Sequence, residues 1–413
     1  MMPDTKVAQK TPTKENVPRC GETVIAVLIV MVGLTIVCLF PRSIPPYMDY
    51  DSSTLAIYTN NLSERGQIDY YFDQSTQSIP IYHTGSAGME QFLEGWISQD
   101  QYRVNWAYQI LPLTFFFAFC KTVLNLHPTQ TPALLTVLGI LFGLLGCGFA
   151  VCFFRLLGLK SRIESATIFV LSAISPTFFL YLRSTITNIM IYHAIFWAVC
   201  WLFQLYLQSG KKRYLYSISA LLAIQLLVIY PFLLALPVIF LALLILNKAW
   251  NRITIHALIA ILLIPLGALI IVYTLSWYWQ IDLGDYGCNF KHFMIARGSA
   301  TLDGGFSHNL LNVGKILMDR TIFFRETGPN PDGRSESIWL YGTIIKSWLL
   351  TFPVAAFALW SAIKRREKVT LFLACTLVTA LLPFMIWVSP SGRYLQVLTP
   401  LYAALIVMGI RQL

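Results

Sequence analysis

The chain of 413 residues has few charged residues for its length. Only 12% of its residues are charged, whereas 56% are apolar, and its mean hydropathy is +0.62. Soluble domains contain about a quarter charged residues, so this composition excludes an ordinary soluble protein. The sequence therefore predicts an integral membrane protein, whose spans must be helices because only helices and closed barrels satisfy their backbone hydrogen bonds in lipid.

The chain also lacks the short motifs of several enzyme classes. Its eight cysteines form no CxxC pair and fall mostly in or beside apolar runs, so no disulfide framework is expected. The six histidines are scattered, and there is no HExxH zinc motif, no GxxxxGK[ST] phosphate loop and no internal repeat. Neither ATP hydrolysis nor a tight metal site is therefore expected.

Long apolar runs are abundant. A helix needs about 20 apolar residues to cross roughly 30 Å of hydrocarbon. The predicted spans are 23–41, 131–153, 165–181, 187–208, 214–229, 231–247, 255–276, 338–361, 368–388 and 394–410. A further apolar stretch, 106–120, is predicted to be a re-entrant or interfacial helix, with a full crossing as the alternative. The predicted fold is an all-α polytopic membrane protein with about 10 or 11 transmembrane helices.

The membrane domain, 23–413, follows a short polar segment. Residues 1–22 have no apolar periodicity and are predicted to be a disordered cytoplasmic tail. The first span is too long for a removable signal peptide and is predicted to be a signal anchor. Two long segments, 42–130 and 277–337, are predicted to form outer loops, since connections of this length usually have a function.

The distribution of charge predicts the orientation of the bundle. If 106–120 does not cross, the predicted cytoplasmic segments together hold 17 Lys and Arg against five Asp and Glu. Such an excess in short loops marks the cytoplasmic side. These loops largely account for the net charge of +10, and they face anionic membrane lipids, so nucleic acid is not an expected partner.

The other fifteen acidic residues fall in the two outer loops. Two of them, Asp49 and Asp51, follow the first span within ten residues. An acidic residue so close to the membrane is costly unless it is used, which makes both of them candidates for catalysis. A simpler interpretation is that they cap a helix that starts near Ser52 or Ser53, because Asp is a favoured N-cap residue.

The stretch from Asp51 to Gly66, DSSTLAIYTNNLSERG, resembles the start of the first outer loop in membrane glycosyltransferases of the GT-C class. The protein mannosyltransferase and aminoarabinose-transferase-like branch is the most similar. In those enzymes an Asp heads a short helix that ends in an Asn-Leu and Gly pattern. The likeness continues in the same order at Pro112, 154–160, 171–176, 182–184 and 393–400. It covers roughly the first half of the chain and the last span.

The resemblance implies transfer of a sugar from a polyprenyl-phosphate carrier to a hydroxyl at the outer face of the membrane, with inversion at the sugar. The expected acceptor is a glycolipid, a cell-surface polysaccharide or a protein hydroxyl. A multi-pass location in a bacterial inner (plasma) membrane is expected, with the endoplasmic reticulum also compatible. This branch generally works without a metal, although some relatives need a divalent cation.

Two acidic residues and five others form the predicted site. The resemblance implies that Asp51 is the general base that takes the proton of the acceptor hydroxyl, with Asp49 as a second candidate. The predicted substrate-binding residues are Arg393, Tyr394, Arg183, Arg297 and Asn188. Arginine suits the charge that grows on a leaving lipid phosphate, because its guanidinium binds phosphate in bidentate fashion. An alternative role for Arg393 is to anchor the last span at the interface.

Other functions stay open. Where the class often has further acids, this chain has Ser52 and Asn188, so a non-catalytic partner subunit is one alternative. A flippase for lipid-linked oligosaccharides or another transporter also needs many spans, but transporters place ionisable residues near the midplane and usually show related halves. A polysaccharide polymerase of another fold would more typically rely on outer arginines than on an Asp after the first span.

Overall fold

The computed structural model describes residues 20–39, 50–66, 113–175, 187–228, 235–268, 270–271, 351–385 and 396–413. Within these ranges the backbone forms helices and short turns, and no β-strand occurs. The all-α class that the sequence predicts is therefore confirmed for this part of the chain.

Twelve α-helices make up these ranges. They are α1 (Cys20–Leu39), α2 (Tyr50–Arg65), α3 (Leu113–Val123), α4 (Thr131–Leu156), α5 (Arg162–Ala173), α6 (Thr187–Ser209), α7 (Lys212–Val228), α8 (Ala235–Asn247), α9 (Ile255–Ala268), α10 (Thr351–Arg365), α11 (Lys368–Met385) and α12 (Thr399–Gln412). Short 3-10 turns lie at Pro128–Gln130, Trp250–Arg252 and Gln396–Leu398, and α9 contains a π-helical turn at Ile259–Leu263. Each predicted span, and the stretch 106–120, overlaps one of these helices.

Two helical segments of the described chain have the length and composition to cross a membrane. They are Pro128–Leu156, which is 29 residues long and includes α4, and Met190–Ser209 within α6, which is 20 residues long. Shorter apolar helices of 10–17 residues are Gly21–Thr35, Leu113–Val123, Ala235–Asn247, Ile255–Ala268 and Lys368–Thr379. Two such helices are weak evidence, because the core helix of a soluble protein passes the same test. The polytopic arrangement stays a prediction.

Helix α1 begins at Cys20, so the last three residues of the predicted tail are helical. Glu22 explains this start: its Oε1 accepts hydrogen bonds from Ser161 Oγ and from the Arg162 backbone N–H, both at 2.8 Å. The Arg162 guanidinium also donates to Thr23 Oγ1. The Ser161 hydroxyl contributes most to holding the pKa of Glu22 below its ordinary value. A carboxylate in the first turn also suits the positive end of the helix dipole.

The turn between α4 and α5 lies beside the ends of three other helices. These are the start of α1, the end of α6 and the end of α12. The contacts are Ser161 Oγ to Glu22 at 2.8 Å, Gln208 Nε2 to the Leu156 carbonyl at 3.3 Å, and Arg411 Nη1 to Glu164 Oε1 at 3.6 Å. Five helix ends therefore meet at this point.

The remaining turns with several cations lie at the same end. The α8–α9 turn reaches the end of α6, where Tyr206 Oη donates to the Arg252 carbonyl at 2.7 Å. The α10–α11 turn reaches the end of α12, where Gln412 Nε2 lies 2.5 Å from Glu367 Oε2. We call this the basic end, because it holds 13 of the 15 Lys and Arg in the described ranges. They are Arg155, Lys160, Arg162, Lys211, Lys212, Arg213, Lys248, Arg252, Lys364, Arg365, Arg366, Lys368 and Arg411.

Helix α4 connects the basic end to an opposite end. Its 26 residues extend over roughly 39 Å at 1.5 Å per residue. Leu156 lies at the basic end, whereas Thr131, at the start of α4, contacts α2 through Asn60. The bundle therefore keeps α2 and the basic turns at opposite ends of one long helix.

The core centres on α4 and α6, which form the most extensive helix pair. The buried Trp197 of α6 packs against Phe153 and Phe154 of α4, with ring centroids 5.6 and 5.4 Å apart. Its indole Nε1 donates to the Val397 carbonyl at 3.0 Å. This bond fixes the turn Gln396–Leu398 against α6.

Candidate functional site

Helix α2 carries the predicted general base. It begins at Tyr50, slightly earlier than the cap interpretation expects, so Asp51 lies inside its first turn. The helix ends at Arg65, and Gly66 follows with a φ of 67°, a left-handed conformation that glycine adopts without strain. The Gly66 N–H donates to the Leu62 carbonyl at 3.1 Å. The short helix that the resemblance implies between Asp51 and Gly66 is therefore present.

The middle of α2 is buried on all sides although the helix is polar. Six of its side chains are at most 1% exposed: Leu55, Ala56, Tyr58, Thr59, Asn60 and Asn61. The sequence Asn61-Leu62-Ser63 fits an N-glycosylation acceptor, but a side chain without exposed surface cannot carry a glycan unless α2 unpacks. The helix is thus part of the packed structure and not a surface loop.

Buried hydrogen bonds fasten α2 to the start of α4. The amide Oδ1 of Asn60 accepts from Thr131 Oγ1 at 2.6 Å, and its Nδ2 donates to the Pro128 carbonyl at 3.4 Å. Both Asn60 and Thr131 are fully buried. Because buried polar groups are costly when unpaired, this pairing specifies where α2 sits on α4.

A buried lysine fastens α2 to α3. Lys121 Nζ donates to Ser63 Oγ at 2.8 Å and to Glu64 Oε1 at 2.7 Å. The Lys121 side chain is only 3% exposed, whereas that of Glu64 is 41% exposed. We call Asn60, Ser63, Glu64, Lys121 and Thr131 the α2 clamp. It holds the C-terminal half of α2 on two other helices.

The α2 clamp determines the position of the start of α2. Asp51 precedes Asn60 by nine residues, which is roughly 13 Å along a helix axis. Helix α2 also packs against α6, and Asn188 is the second residue of α6. The helices that carry Asp51 and Asn188 are therefore neighbours.

The other predicted site residues lie outside the described ranges. They are Asp49, Arg183, Arg297, Arg393 and Tyr394. Their roles stay predictions. The end of the 393–400 motif is described, because the turn Gln396–Leu398 is held on α6 by Trp197.

The sequence did not point to the residues of the α2 clamp as a group. The one available signal was a lysine directly after an apolar run, Phe115–Cys120, where a charge needs a partner. Within the described ranges, Lys121 and Arg65 are the cations away from the basic end. Since Lys121 is paired with Glu64, it is not available to bind a phosphate.

In the described ranges no group of three or more His, Cys, Asp or Glu residues could hold a metal ion. No protein-family model, curated protein or solved structure matches this chain. The resemblance to the GT-C class therefore rests on the sequence motifs alone.

Proposed function

We propose that the chain is a polytopic membrane glycosyltransferase that moves a sugar from a polyprenyl-phosphate carrier to an acceptor hydroxyl on the outer face of the membrane. The observation that carries the proposal is that the basic turns and helix α2 lie at opposite ends of α4. The basic turns gather at one end, and α2, with Asp51 in its first turn, packs at the other. This is the arrangement that a GT-C enzyme with a cytoplasmic basic face requires.

Exposed apolar side chains support a membrane location. On α4, Val137, Leu141 and Leu145 are each about half exposed, at 50–51%. The larger set of exposed apolar residues includes Val27, Leu28, Met31 and Val32 on α1, Leu262 and Leu263 on α9, and Val378 on α11. A soluble monomer rarely shows such extensive apolar surface, whereas lipid tails cover it without penalty. At roughly 39 Å, α4 is long enough to cross about 30 Å of hydrocarbon.

The charges support the orientation. With 13 of the 15 described cations at one end, the positive-inside rule assigns that end to the cytoplasm. The end with α2 then faces outward, where a lipid-linked sugar and an extracellular acceptor would meet. The acceptor classes remain a glycolipid, a cell-surface polysaccharide or a protein hydroxyl.

In the proposed reaction Asp51 acts as the general base. The acceptor oxygen forms a bond to the anomeric carbon as its proton passes to the Asp51 carboxylate, a role that contributes about 10²–10⁴ in rate. The bond from the anomeric carbon to the carrier phosphate oxygen breaks, and the polyprenyl phosphate leaves with the electron pair. The proton then passes from Asp51 to water.

The leaving phosphate needs cations in a partly dry site. Lys121 is paired with Glu64 and does not supply this charge. As the sequence predicts, we assign the role to Arg393, Arg297 and Arg183, with Tyr394 and Asn188 contacting the sugar or phosphate. Asp49 is the second candidate for the base. No step of this reaction needs a metal; a divalent cation, if one were bound, would supply the same charge neutralisation.

Sugar transfer by the purified protein in nanodiscs tests the proposal. A panel of radiolabelled polyprenyl-phosphate sugars is offered with membrane lipid extract as acceptor. The variants are Asp51→Asn and Asp49→Asn, which make the same change two residues apart. We expect Asp51→Asn to lose at least about a hundredfold in kcat with donor still bound, and Asp49→Asn to retain activity.

Two outcomes would count against the proposal. Full activity in Asp51→Asn would remove Asp51 as the base. No transfer from any donor, together with movement of lipid-linked sugar across the bilayer, would favour the flippase.

A further inference from the structure

Two turns at the basic end lie against each other and are rich in cations. The α6–α7 turn carries Lys211, Lys212 and Arg213, and the α8–α9 turn carries Lys248 and Arg252. We call these five residues the cationic patch. The Tyr206 Oη donates to the Arg252 carbonyl at 2.7 Å, and the Arg252 guanidinium lies directly over Gly210. The two turns are therefore held as one surface.

A reciprocal amide pair strengthens this junction. Gln204 Nε2 donates to Asn247 Oδ1 at 3.1 Å, and Asn247 Nδ2 donates to Gln204 Oε1 at 2.9 Å. Both residues lie shortly before their turns. Because the pair is partly buried and each amide uses both its donor and its acceptor, it fixes the register of α6 against α8.

The cationic patch has no acidic counterpart within the described ranges. No Asp or Glu occurs in the sequence between Glu164 and Asp282. Among the residues that the structure describes, none of the five cations forms an ion pair; Arg213 instead stacks on the Tyr214 ring at 4.9 Å. Lys211, Lys212, Arg213 and Lys248 are exposed. The surface therefore carries concentrated positive charge that an external anion would neutralise.

The other half of the basic end differs in this respect. There, Glu22 binds Ser161 and Arg162, Glu164 pairs with Arg411, and Glu367 accepts from Gln412. Three consecutive cations, Lys364, Arg365 and Arg366, occur in this half as they do in the cationic patch. The described ranges thus contain two basic triplets, and within these ranges acids lie beside Lys364–Arg366 but not beside Lys211–Arg213.

Apolar and aromatic side chains border the cationic patch. Trp250, in the α8–α9 turn that carries Lys248 and Arg252, is 53% exposed, and Ile255, the first residue of α9, is 77% exposed. Tyr216 is exposed one turn after the α6–α7 triplet. Aromatic rings and cations together at a helix end fit the boundary between lipid head groups and acyl chains better than they fit open water.

We propose that the cationic patch is a binding site for the phosphodiester head group of an anionic phospholipid. The patch cations contact the phosphate, and Trp250 and Ile255 lie along the start of the acyl chains. The inference rests on the proposed membrane location but not on sugar transfer. Its partner is a lipid and not free phosphate, because the apolar border would serve no purpose for a small inorganic ion.

Native mass spectrometry of the protein in neutral detergent tests the proposal. The probes are phosphatidylglycerol and phosphatidylcholine of the same chain length, and inorganic phosphate is added as a competitor. The variant Lys211→Gln/Lys212→Gln/Arg213→Gln is compared with Lys364→Gln/Arg365→Gln/Arg366→Gln, which removes the same charge from the half that contains acids. We expect the first variant to bind phosphatidylglycerol at least about tenfold more weakly, and the control to change less than about twofold.

Three results would overturn the proposal: equal loss of binding in both triplet variants, equal binding of phosphatidylcholine and phosphatidylglycerol, or displacement of the lipid by equimolar inorganic phosphate.

If the Lys211/Lys212/Arg213 variant fails to fold, Lys248→Asn replaces it. Lys248 has a φ of 51°, a conformation that Asn tolerates, so this change removes one charge with little strain. It is expected to weaken phosphatidylglycerol binding about threefold to tenfold, and unchanged binding would contradict the site.

Extraction of the chain from membranes without detergent would instead show that the membrane location is wrong.

Discussion

Lys121 Nζ lies 2.7 Å from Glu64 Oε1, and the two side chains differ sharply in exposure, at 3% and 41%. The pair joins α3 to the last turn of α2 across 57 positions of sequence. Its members are unequal, because Lys121 has little access to water and Glu64 has considerable access. The loss of one partner therefore has a different consequence from the loss of the other.

We expect Glu64→Ala to destabilise the protein more than Lys121→Met. Removal of Glu64 leaves a buried ammonium with only Ser63 as a partner, which costs about 2–3 kcal/mol after allowance for the exposure of the pair. Removal of Lys121 leaves a carboxylate that water solvates, which costs about 1 kcal/mol. Thermal unfolding in detergent measures both. Glu64→Gln, which keeps an acceptor for Lys121, should fall between them, and a larger loss in Lys121→Met would contradict the assignment.

Thr131→Val tests the other half of the α2 clamp. The substitution keeps the shape of Thr131 but leaves the buried Asn60 Oδ1 without its donor at 2.6 Å, so we expect a loss of about 1–3 kcal/mol in the free energy of unfolding. Thr376→Val is the matched control, because the buried Thr376 hydroxyl has no hydrogen-bond partner within the described ranges. That control should be neutral or stabilising. Equal losses in both variants would show that the Asn60 contact contributes nothing.

Two glycines of α4 test the α4–α6 interface. A Cβ at Gly146 would meet the His193 ring and lie 3.0 Å from the Ala194 backbone nitrogen, whereas a Cβ at Gly148 would meet no atom within 4 Å. Gly146→Ala should therefore destabilise by about 1–3 kcal/mol through overpacking. Gly148→Ala should be neutral or stabilise by up to about 1 kcal/mol. The melting temperatures of the two variants, measured side by side, test this prediction. A Gly146→Ala variant as stable as wild type would mean that α4 and α6 are farther apart than the structure shows.

Acid should weaken the attachment of α1 to α5. Glu22 precedes the predicted first span, and its folded pKa lies below its ordinary value because Ser161 and Arg162 donate to it. A carboxyl with a lowered folded pKa contributes stability above its unfolded pKa of about 4.3, and this contribution is lost as the pH falls through the folded value. Wild type should therefore exceed Glu22→Gln in melting temperature at pH 7. The difference in melting temperature should disappear below about pH 4. A difference that stays constant down to about pH 3 would contradict the role of a hydrogen-bonded Glu22 carboxylate.

Much of the helical framework follows from the sequence. Helices α1, α4 and α6 begin and end within about three residues of the predicted spans, since apolar run length is a local signal. The start of α2 was indicated by Asp capping and its extent by the resemblance to the GT-C pattern, but its burial was not predicted, because DSSTLAIYTNNLSER has no long apolar stripe.

The packing around α2 could not be predicted from one sequence. Asn60 and Thr131 are 71 positions apart, and Lys121 and Glu64 are 57 apart. Hydropathy places Asn60, Glu64 and Lys121 in the predicted outer loop 42–130 and Thr131 at the start of the predicted span 131–153, and it pairs none of them with another. Only the fold shows that the buried Asn60 and Thr131 satisfy each other and that Glu64 pairs with the buried Lys121.

The sidedness of the two ends of α4 tests the central claim most directly, because both the sugar-transfer site and the lipid site depend on it. Thr129→Cys, in the exposed turn before α4, and Lys211→Cys, at the basic end, are labelled in intact cells with a membrane-impermeant maleimide, with wild type as the blank for native cysteines. We predict that Thr129→Cys is labelled from outside, and that Lys211→Cys is labelled only after the cells are permeabilised. Labelling of both from the same side would contradict the account.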